Sequence, residues 1–199
     1  MTNAKEYLEF ASKSDKSGEV IDQNVIYDNY TGMPTSIEYK KGSGVIEKYE
    51  TKYDKLGYIT SEKISSTYDG KTKELNNIYE YDAIGRLSKD TLSVKKDGKT
   101  ETKSTTYTYD NVGNRLSMNQ GGDSYVYSYN DANLLTGIDK NGVKAEEYEY
   151  DALGNQSKKR TYKQEGGVAK LDETATYEYN KGNQLKKITT KKEGVADLH

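Results

Sequence analysis

Tyr79-Glu80-Tyr81-Asp82-Ala83-Ile84-Gly85-Arg86-Leu87 decides the fold, because the chain keeps rewriting it. Close copies are Tyr107-Thr108-Tyr109-Asp110-Asn111-Val112-Gly113-Asn114-Arg115-Leu116 and Tyr148-Glu149-Tyr150-Asp151-Ala152-Leu153-Gly154-Asn155. Looser copies are Tyr53-Asp54-Lys55-Leu56-Gly57-Tyr58-Ile59, Tyr127-Ser128-Tyr129-Asn130-Asp131-Ala132-Asn133-Leu134 and Tyr177-Glu178-Tyr179-Asn180-Lys181-Gly182-Asn183-Gln184-Leu185. Tyr27-Asp28-Asn29-Tyr30-Thr31-Gly32 is a first copy with one residue inserted. The residue after the second Tyr falls at 28, 54, 82, 110, 130, 151 and 180, in steps of 26, 28, 28, 20, 21 and 29 residues. Periods of this size signal a repeat architecture.

Tyr at alternate positions puts both rings on one face of a β-strand, with Glu, Ser or Thr between them facing the other way. The Asp or Asn that follows hydrogen-bonds its own backbone to start a turn, and a Gly or Asn three residues later can take positive φ. A second apolar run then begins at Arg86-Leu87, Arg115-Leu116 or Gln184-Leu185. Each copy therefore reads as a β-hairpin. Between copies lie Gly42-Ser43-Gly44, Asp69-Gly70, Asp97-Gly98, Gly121-Gly122, Asn141-Gly142 and Gly166-Gly167. Several of these are the dipeptides that type I′ hairpin turns require. Two classes of turn alternate, so the expected fold is all-β, an antiparallel meander of up to about fourteen strands. A sheet of that size is expected to curl or spiral into a partial shell or trough.

Two segments are expected: residues 1–19, a short helix or cap with a linker, and residues 20–199, the repeat sheet. Ala4, Tyr7, Leu8 and Ala11 sit at helical spacing, but the same stretch also fits an incomplete repeat or a first strand. Only 32% of the 199 residues are hydrophobic and 31% are charged, with 20 Tyr, one Phe and no Trp. The Tyr rows are accordingly expected to form the core, with Ile59, Ile64, Leu87, Leu92, Leu116, Met118, Leu135, Ile138, Leu185 and Ile188 as aliphatic partners. The single Pro34 suits a many-stranded sheet. A net charge of −2 without a basic block argues against a nucleic-acid partner. No apolar run approaches a membrane span, and no signal peptide is visible.

The unit Tyr-x-Tyr-Asp-x-x-Gly-Arg/Asn-x-Leu resembles the YD repeat of the Rhs family. These repeats occur in bacterial Rhs and wall-associated polymorphic toxins, in the C component of insecticidal Tc toxin complexes, and in teneurins. The resemblance spans about residues 25–190. It implies a long antiparallel sheet spiralling into a hollow shell around a toxin or other C-terminal domain, at a bacterial surface or secreted. Departures are Asn130 and Asn180 in place of Asp, Asn133 in place of Gly, and steps longer than usual for the family. Seven units are few for a closed shell, so a stretch of wall without cargo is expected.

The residue inventory disfavours catalysis. There is no Cys, and the only His is His199, so the familiar nucleophile–base pairs cannot be assembled. Asp54, Asp82, Asp110 and Asp151 have a turn-forming role that explains their positions. Asp139-Lys140-Asn141-Gly142 echoes a calcium loop, but its first and last ligand positions would be Gly137 and Tyr148. No cofactor or metal site is expected. Two rivals to the scaffold reading remain. One is glycan binding, with Tyr81, Tyr109 and Tyr150 as stacking surfaces; the resemblance implies it too. The other is self-assembly into fibres or oligomers through open edge strands.

Overall fold

The computed structural model describes residues 13–14, 20–68, 70–96 and 98–193. The expected N-terminal helix falls outside these residues, except that Lys13 opens the short strand β1 (Lys13–Ser14). Two compact units are formed, Met1–Thr105 and Thr106–His199. The first holds β1, β2 (Val20–Tyr27), β3 (Pro34–Lys41), β4 (Gly44–Tyr53), β5 (Ile59–Tyr68), β6 (Lys71–Tyr81) and β7 (Leu87–Lys96). β8 (Lys99–Tyr109) runs across the boundary. The second unit holds β9 (Arg115–Gln120), β10 (Asp123–Tyr129), β11 (Leu135–Lys140), β12 (Val143–Tyr150), β13 (Gln156–Glu165), β14 (Val168–Tyr179) and β15 (Leu185–Lys192). In each unit hydrogen-bonded neighbours follow chain order, as the alternating turns require for an antiparallel meander.

Every even-numbered strand ends on the tyrosine that precedes the turn Asp or Asn: Tyr27, Tyr53, Tyr81, Tyr109, Tyr129, Tyr150 and Tyr179. Opposite ends of the strands are closed by the second class of turn. There Asn141 and Gly142, and likewise Gly166 and Gly167, all have positive φ (53°, 76°, 60° and 82°), the conformation a two-residue hairpin of right-handed twist demands. The Asp139–Gly142 stretch is thus a hairpin end.

Six of the hairpins closed by a turn Asp or Asn carry the same irregularity. Glu80 pairs with Lys89 and Tyr81 with Leu87, leaving Ser88 as a bulge. Thr35 and Thr60 take the same place in the first unit, and Thr136, Ser157 and Lys186 in the second. The extra residue lets the strand change face beside the turn. Beyond it, Glu80 pairs with Lys89, Glu149 with Lys158 and Glu178 with Lys187 across the non-tyrosine face, where Lys89 Nζ lies 2.8 Å from Glu80 Oε1. Such exposed cross-strand pairs contribute little each, about 0–1 kcal/mol.

The turn at Asp110, closed by Asn114 as that at Asp82 is by Arg86, corrects one reading of the sequence. Asn114, not Arg115, occupies the place that Arg86 has, and Arg115 stands where Leu87 stands. Tyr129 Oη donates to Arg115 O at 3.0 Å, as Tyr81 Oη donates to Ile59 O at 2.7 Å in the first unit. Arg115 points its guanidinium over the Tyr127 ring (4.3 Å to the centroid) and towards Tyr107 (5.9 Å), an attraction to the ring face that replaces aliphatic packing. Leu116 is 42% exposed.

Within each unit, the second tyrosine of a repeat ties its hairpin to the preceding one. Tyr53 Oη donates to Pro34 O (2.9 Å) and Tyr81 Oη to Ile59 O in the first unit. Tyr129 Oη donates to Arg115 O, Tyr150 Oη to Leu135 O (2.7 Å) and Tyr179 Oη to Gln156 O (3.0 Å) in the second. These rings are mostly half-buried. Among the described residues the buried hydrophobic side chain is Tyr127, and the one fully buried side chain is Thr105. The expectation of a tyrosine core with aliphatic partners therefore needs correcting. Leu185 and Ile188, like Leu116, are exposed, because within each unit the described strands form one layer and cover one another's side chains laterally.

Replacing Tyr81 or Tyr150 with Phe keeps the ring and removes the tie. Each change should lower the unfolding free energy in urea by about 0.5–1.5 kcal/mol. Tyr30→Phe, at a 99% exposed residue, should leave it unchanged.

Candidate functional site

The repeated chemistry sits in the row of Asp/Asn turns. Asp82 Oδ1 accepts the backbone N–H of Ile84 (3.1 Å) and of Arg86 (2.9 Å). Asp54 does the same for Leu56 and Tyr58, Asp110 for Val112 and Asn114, and Asp151 for Leu153 and Asn155. Only one oxygen is needed, so Asn130 and Asn180 serve as well, holding Ala132 and Leu134, and Gly182 and Gln184. The second carboxylate oxygen closes the turn. Asp82 Oδ2 receives Arg86 Nε at 2.7 Å and Asp151 Oδ2 receives Asn155 Nδ2 at 2.9 Å. At Asn180 the polarity reverses and Nδ2 donates to Gln184 Oε1 at 3.1 Å.

These bonds favour the ionised form. The Arg86 backbone N–H, helped by its guanidinium, holds Asp82 below the ordinary aspartate value of 3.8 against some desolvation. The Asn155 amide and backbone N–H do the same for Asp151. Burial pushes the first tyrosines the other way. Tyr79, donating to Glu62 Oε2 at 2.7 Å, and Tyr148, donating to Glu146, are both raised well above the ordinary phenol value. Their hydroxyls stay protonated donors, and none is poised as a base.

Three residues after the turn Asp or Asn the backbone is left-handed, at Gly57 and Gly85 in the first unit and Gly113, Asn133, Gly154 and Asn183 in the second. In the last copy it is Asn183 (φ 59°) that fills this role. At Gly85, Asn133, Gly154 and Asn183 what faces this position comes from the preceding repeat, four residues after its own turn residue. A Cβ at Gly85 would lie 2.6 Å from Tyr58 Cζ, and the Tyr58 ring also stacks on Tyr81 at 5.0 Å. In the second unit Leu134 faces Gly154. Where the left-handed residue is Asn, the facing residue is also Asn. Asn114 Nδ2 donates to Asn133 Oδ1 at 2.9 Å, and Asn155 Nδ2 to Asn183 Oδ1 at 2.5 Å. A bare glycine accepts a ring or aliphatic chain, and an asparagine accepts an amide. This pairing escaped the reading of single copies; its signal is the recurrence of Asn in two offset columns.

Between neighbouring turns runs a shallow groove. One of about 460 Å³ lies between the 54 and 82 turns, lined by Tyr58, Thr60, Tyr79 and Tyr81, among others. Another of about 490 Å³ lies between the 130 and 151 turns, lined by the corresponding Leu134, Thr136, Tyr148 and Tyr150. The tips of the turns are apolar and open to solvent, with Leu56 82% and Leu153 77% exposed. Of the three tyrosines considered for glycans, Tyr81 and Tyr150 donate their hydroxyls to backbone carbonyls, and Tyr109 is half-buried at the end of β8. Among the described residues, no group of three or more His, Cys, Asp or Glu side chains is arranged to hold a metal ion.

The family model for the teneurin YD-shell matches residues 7–198. The chain belongs to that family. Solved structures of similar fold include TcdB2-TccC3 without its hypervariable C-terminal region, at 15% identity over 92% of this chain, with a TM-score of 0.43. TcdB2-TccC3-TEV matches at 14% identity over 92% of this chain, TM-score 0.41. TcdB2-TccC3-Cdc42 matches at 14% over 88%, TM-score 0.34. This chain spans only 12%, 15% and 14% of those chains respectively. Among curated proteins, none matches it. Membership of the YD-shell family supports a structural, shell-forming role for the repeats.

Two outcomes are expected at the turns. Gly98→Ala, at φ 75° with open space around it, should cost about 1–2 kcal/mol from backbone strain alone. Gly85→Ala adds the clash with Tyr58, a further loss of about 1–3 kcal/mol that Tyr58→Leu in the same chain should largely recover, as urea unfolding would register. The second outcome concerns acid. Asp82 and Asp151 have folded values below 3.8, so their stabilisation is complete above the unfolded value and is lost as pH falls through the folded ones. Midpoints of urea unfolding should therefore drop steeply below about pH 4, and less steeply in the Asp82→Asn/Asp151→Asn double variant.

Proposed function

We propose that this chain is a stretch of wall in a YD-repeat surface or toxin-delivery protein, secreted or held at a bacterial cell surface. Its repeats enclose or display a cargo domain and carry no chemistry of their own. The observation that supports this reading is the sameness of the repeat junctions. Within each unit, each hairpin meets the next through a backbone ladder and a tyrosine tie at one fixed place. Such a joint can be repeated without altering its neighbours, which suits a mechanical element. Its partners would be the remaining repeats of a longer wall and the domain within. Glycan binding draws less support, since Tyr81 and Tyr150 spend their hydroxyls on the backbone and Tyr58 covers one ring face of Tyr81.

The coding sequence on either side of this chain tests the reading. Further Tyr-x-Tyr-Asp units and an unrelated domain beside them are expected, and unrelated flanks on both sides would overturn it. In the longer protein, that domain should resist added protease until Tyr81→Ala and Tyr150→Ala loosen the wall. Equal digestion with and without those changes would remove the enclosing role.

A further inference from the structure

Asn141-Gly142 is the one Asn-Gly pair in the sequence. Among the described residues other than glycine, positive φ occurs at Asn133, Asn141 and Asn183. Asn133 is followed by Leu134 and Asn183 by Gln184, and only Asn141 by a glycine. The backbone nitrogen of the next residue can attack an asparagine carboxamide, and a glycine, lacking a Cβ, obstructs that attack least. Asparagine is for this reason among the thermolabile residues. Both Asn141 and Gly142 are exposed, so water has access to the reaction.

The fold holds the two reacting atoms apart by its main chain and by the asparagine side chain. Lys140 pairs with Val143 across the turn, and Asn141 and Gly142 have φ of 53° and 76°, which makes a type I′ hairpin. In that turn ψ of the first central residue is about +30°. At this angle the Gly142 nitrogen lies on the opposite side of the Cα–C bond from the Asn141 side chain. The carboxamide itself is held by the neighbouring strand β10. Asn141 Oδ1 accepts the Ser124 N–H at 2.8 Å, and Nδ2 donates to Asp123 Oδ1 at 2.9 Å. The Asn141 backbone N–H donates to Ser124 O at 2.7 Å, and Lys140 Nζ lies 2.8 Å from Asp123 Oδ2. Asn141 is thus a clasp between the β11–β12 turn and the start of β10.

We propose that Asn141 is a deamidation site that the closed clasp protects, and that its conversion releases the clasp in one direction. When the turn opens, Gly142 N attacks Asn141 Cγ. The new C–N bond closes a succinimide ring, the Cγ–Nδ2 bond breaks, and ammonia leaves with the proton that Gly142 N carried. Water then opens the ring at either carbonyl. One opening leaves Asp at position 141, and the other leaves isoaspartate, whose main chain runs on through Cβ and Cγ. Neither product restores the clasp. Asp sets a carboxylate against Asp123 Oδ1 where a donor stood, and isoaspartate lengthens a turn that has room for two ordinary residues. This modification is independent of the wall reading, and neither falls with the other.

The purified full chain, kept at mildly alkaline pH with and without urea, tests the proposal. The tryptic peptide 141–144 reports conversion by the mass change from amide to acid, and its isoaspartate content confirms the succinimide route. Conversion should run at least about tenfold faster in urea, because the folded chain reacts only through the fraction in which that turn is open. Asp123→Ala, once its circular dichroism matches the parent, removes the acceptor for Nδ2. It should speed conversion of the folded chain about 2–10-fold and leave the rate in urea unchanged. Asp123→Asn keeps an acceptor oxygen and should stay near the parent in both conditions. In converted chains the Ser124 amide hydrogen should exchange faster than in the parent. Equal rates with and without urea would overturn the inference. So would an unchanged folded rate in Asp123→Ala, or another asparagine converting first in urea.

Discussion

A single oxygen, Oδ1 of the turn Asp or Asn, is what the rest of this structure depends on. By accepting the N–H groups two and four residues ahead, it satisfies donors that a tight turn would otherwise leave to water. It also fixes where the left-handed residue falls. That in turn sets the bulge, the bulge sets which side chains return to the tyrosine face, and the tying hydroxyl lands on the same carbonyl in each junction. Moved by one residue, the set would swap faces. Only one acceptor is required, so Asn130 and Asn180 do the work of Asp, and the repeat tolerates either.

Stability here is lateral. A sheet with almost no fully buried side chains cannot draw on the burial that holds a two-layer domain together. Its favourable terms are the backbone ladder, half-buried tyrosine rings, the ties, and cross-strand pairs worth about 0.2–1 kcal/mol each. All of them act between adjacent strands, so the free energy is close to a sum of neighbour terms. Among the described residues β15 has one paired neighbour, β14, and there Leu185 and Ile188 are exposed.

Most of this was legible in the sequence, for a physical reason. Turn chemistry is local: an Asp that caps its own backbone and a Gly at positive φ announce themselves within five residues, as in Asp82-Ala83-Ile84-Gly85-Arg86. The alternation of Tyr gave the face, and the Asn-Gly and Gly-Gly pairs gave the opposite ends. What was not legible depends on a neighbour 20 to 30 residues away. Aligning Arg115 with Arg86 by chemistry alone slipped the copy by one, because the ring attraction that lets an arginine stand in a leucine place comes from Tyr127 of the next repeat. The contact of Asn155 with Asn183 was hidden likewise, since it joins side chains from two different repeats.

That dependence on the neighbour has a consequence for the wall. At four left-handed positions the facing residue belongs to the repeat before it: Tyr58 for Gly85, Leu134 for Gly154, Asn114 for Asn133 and Asn155 for Asn183. A repeat ending in Tyr58 could not precede one with Asn at that position, because the ring already meets the space where a Cβ would be. A repeat ending in Asn114 placed before a glycine would leave its amide without the carbonyl it uses. Copies that look interchangeable by their Tyr-x-Tyr-Asp core are therefore matched in sequence to the repeat on one side. Identical joints build the sheet, and these pairs of side chains specify the order in which its repeats can stand.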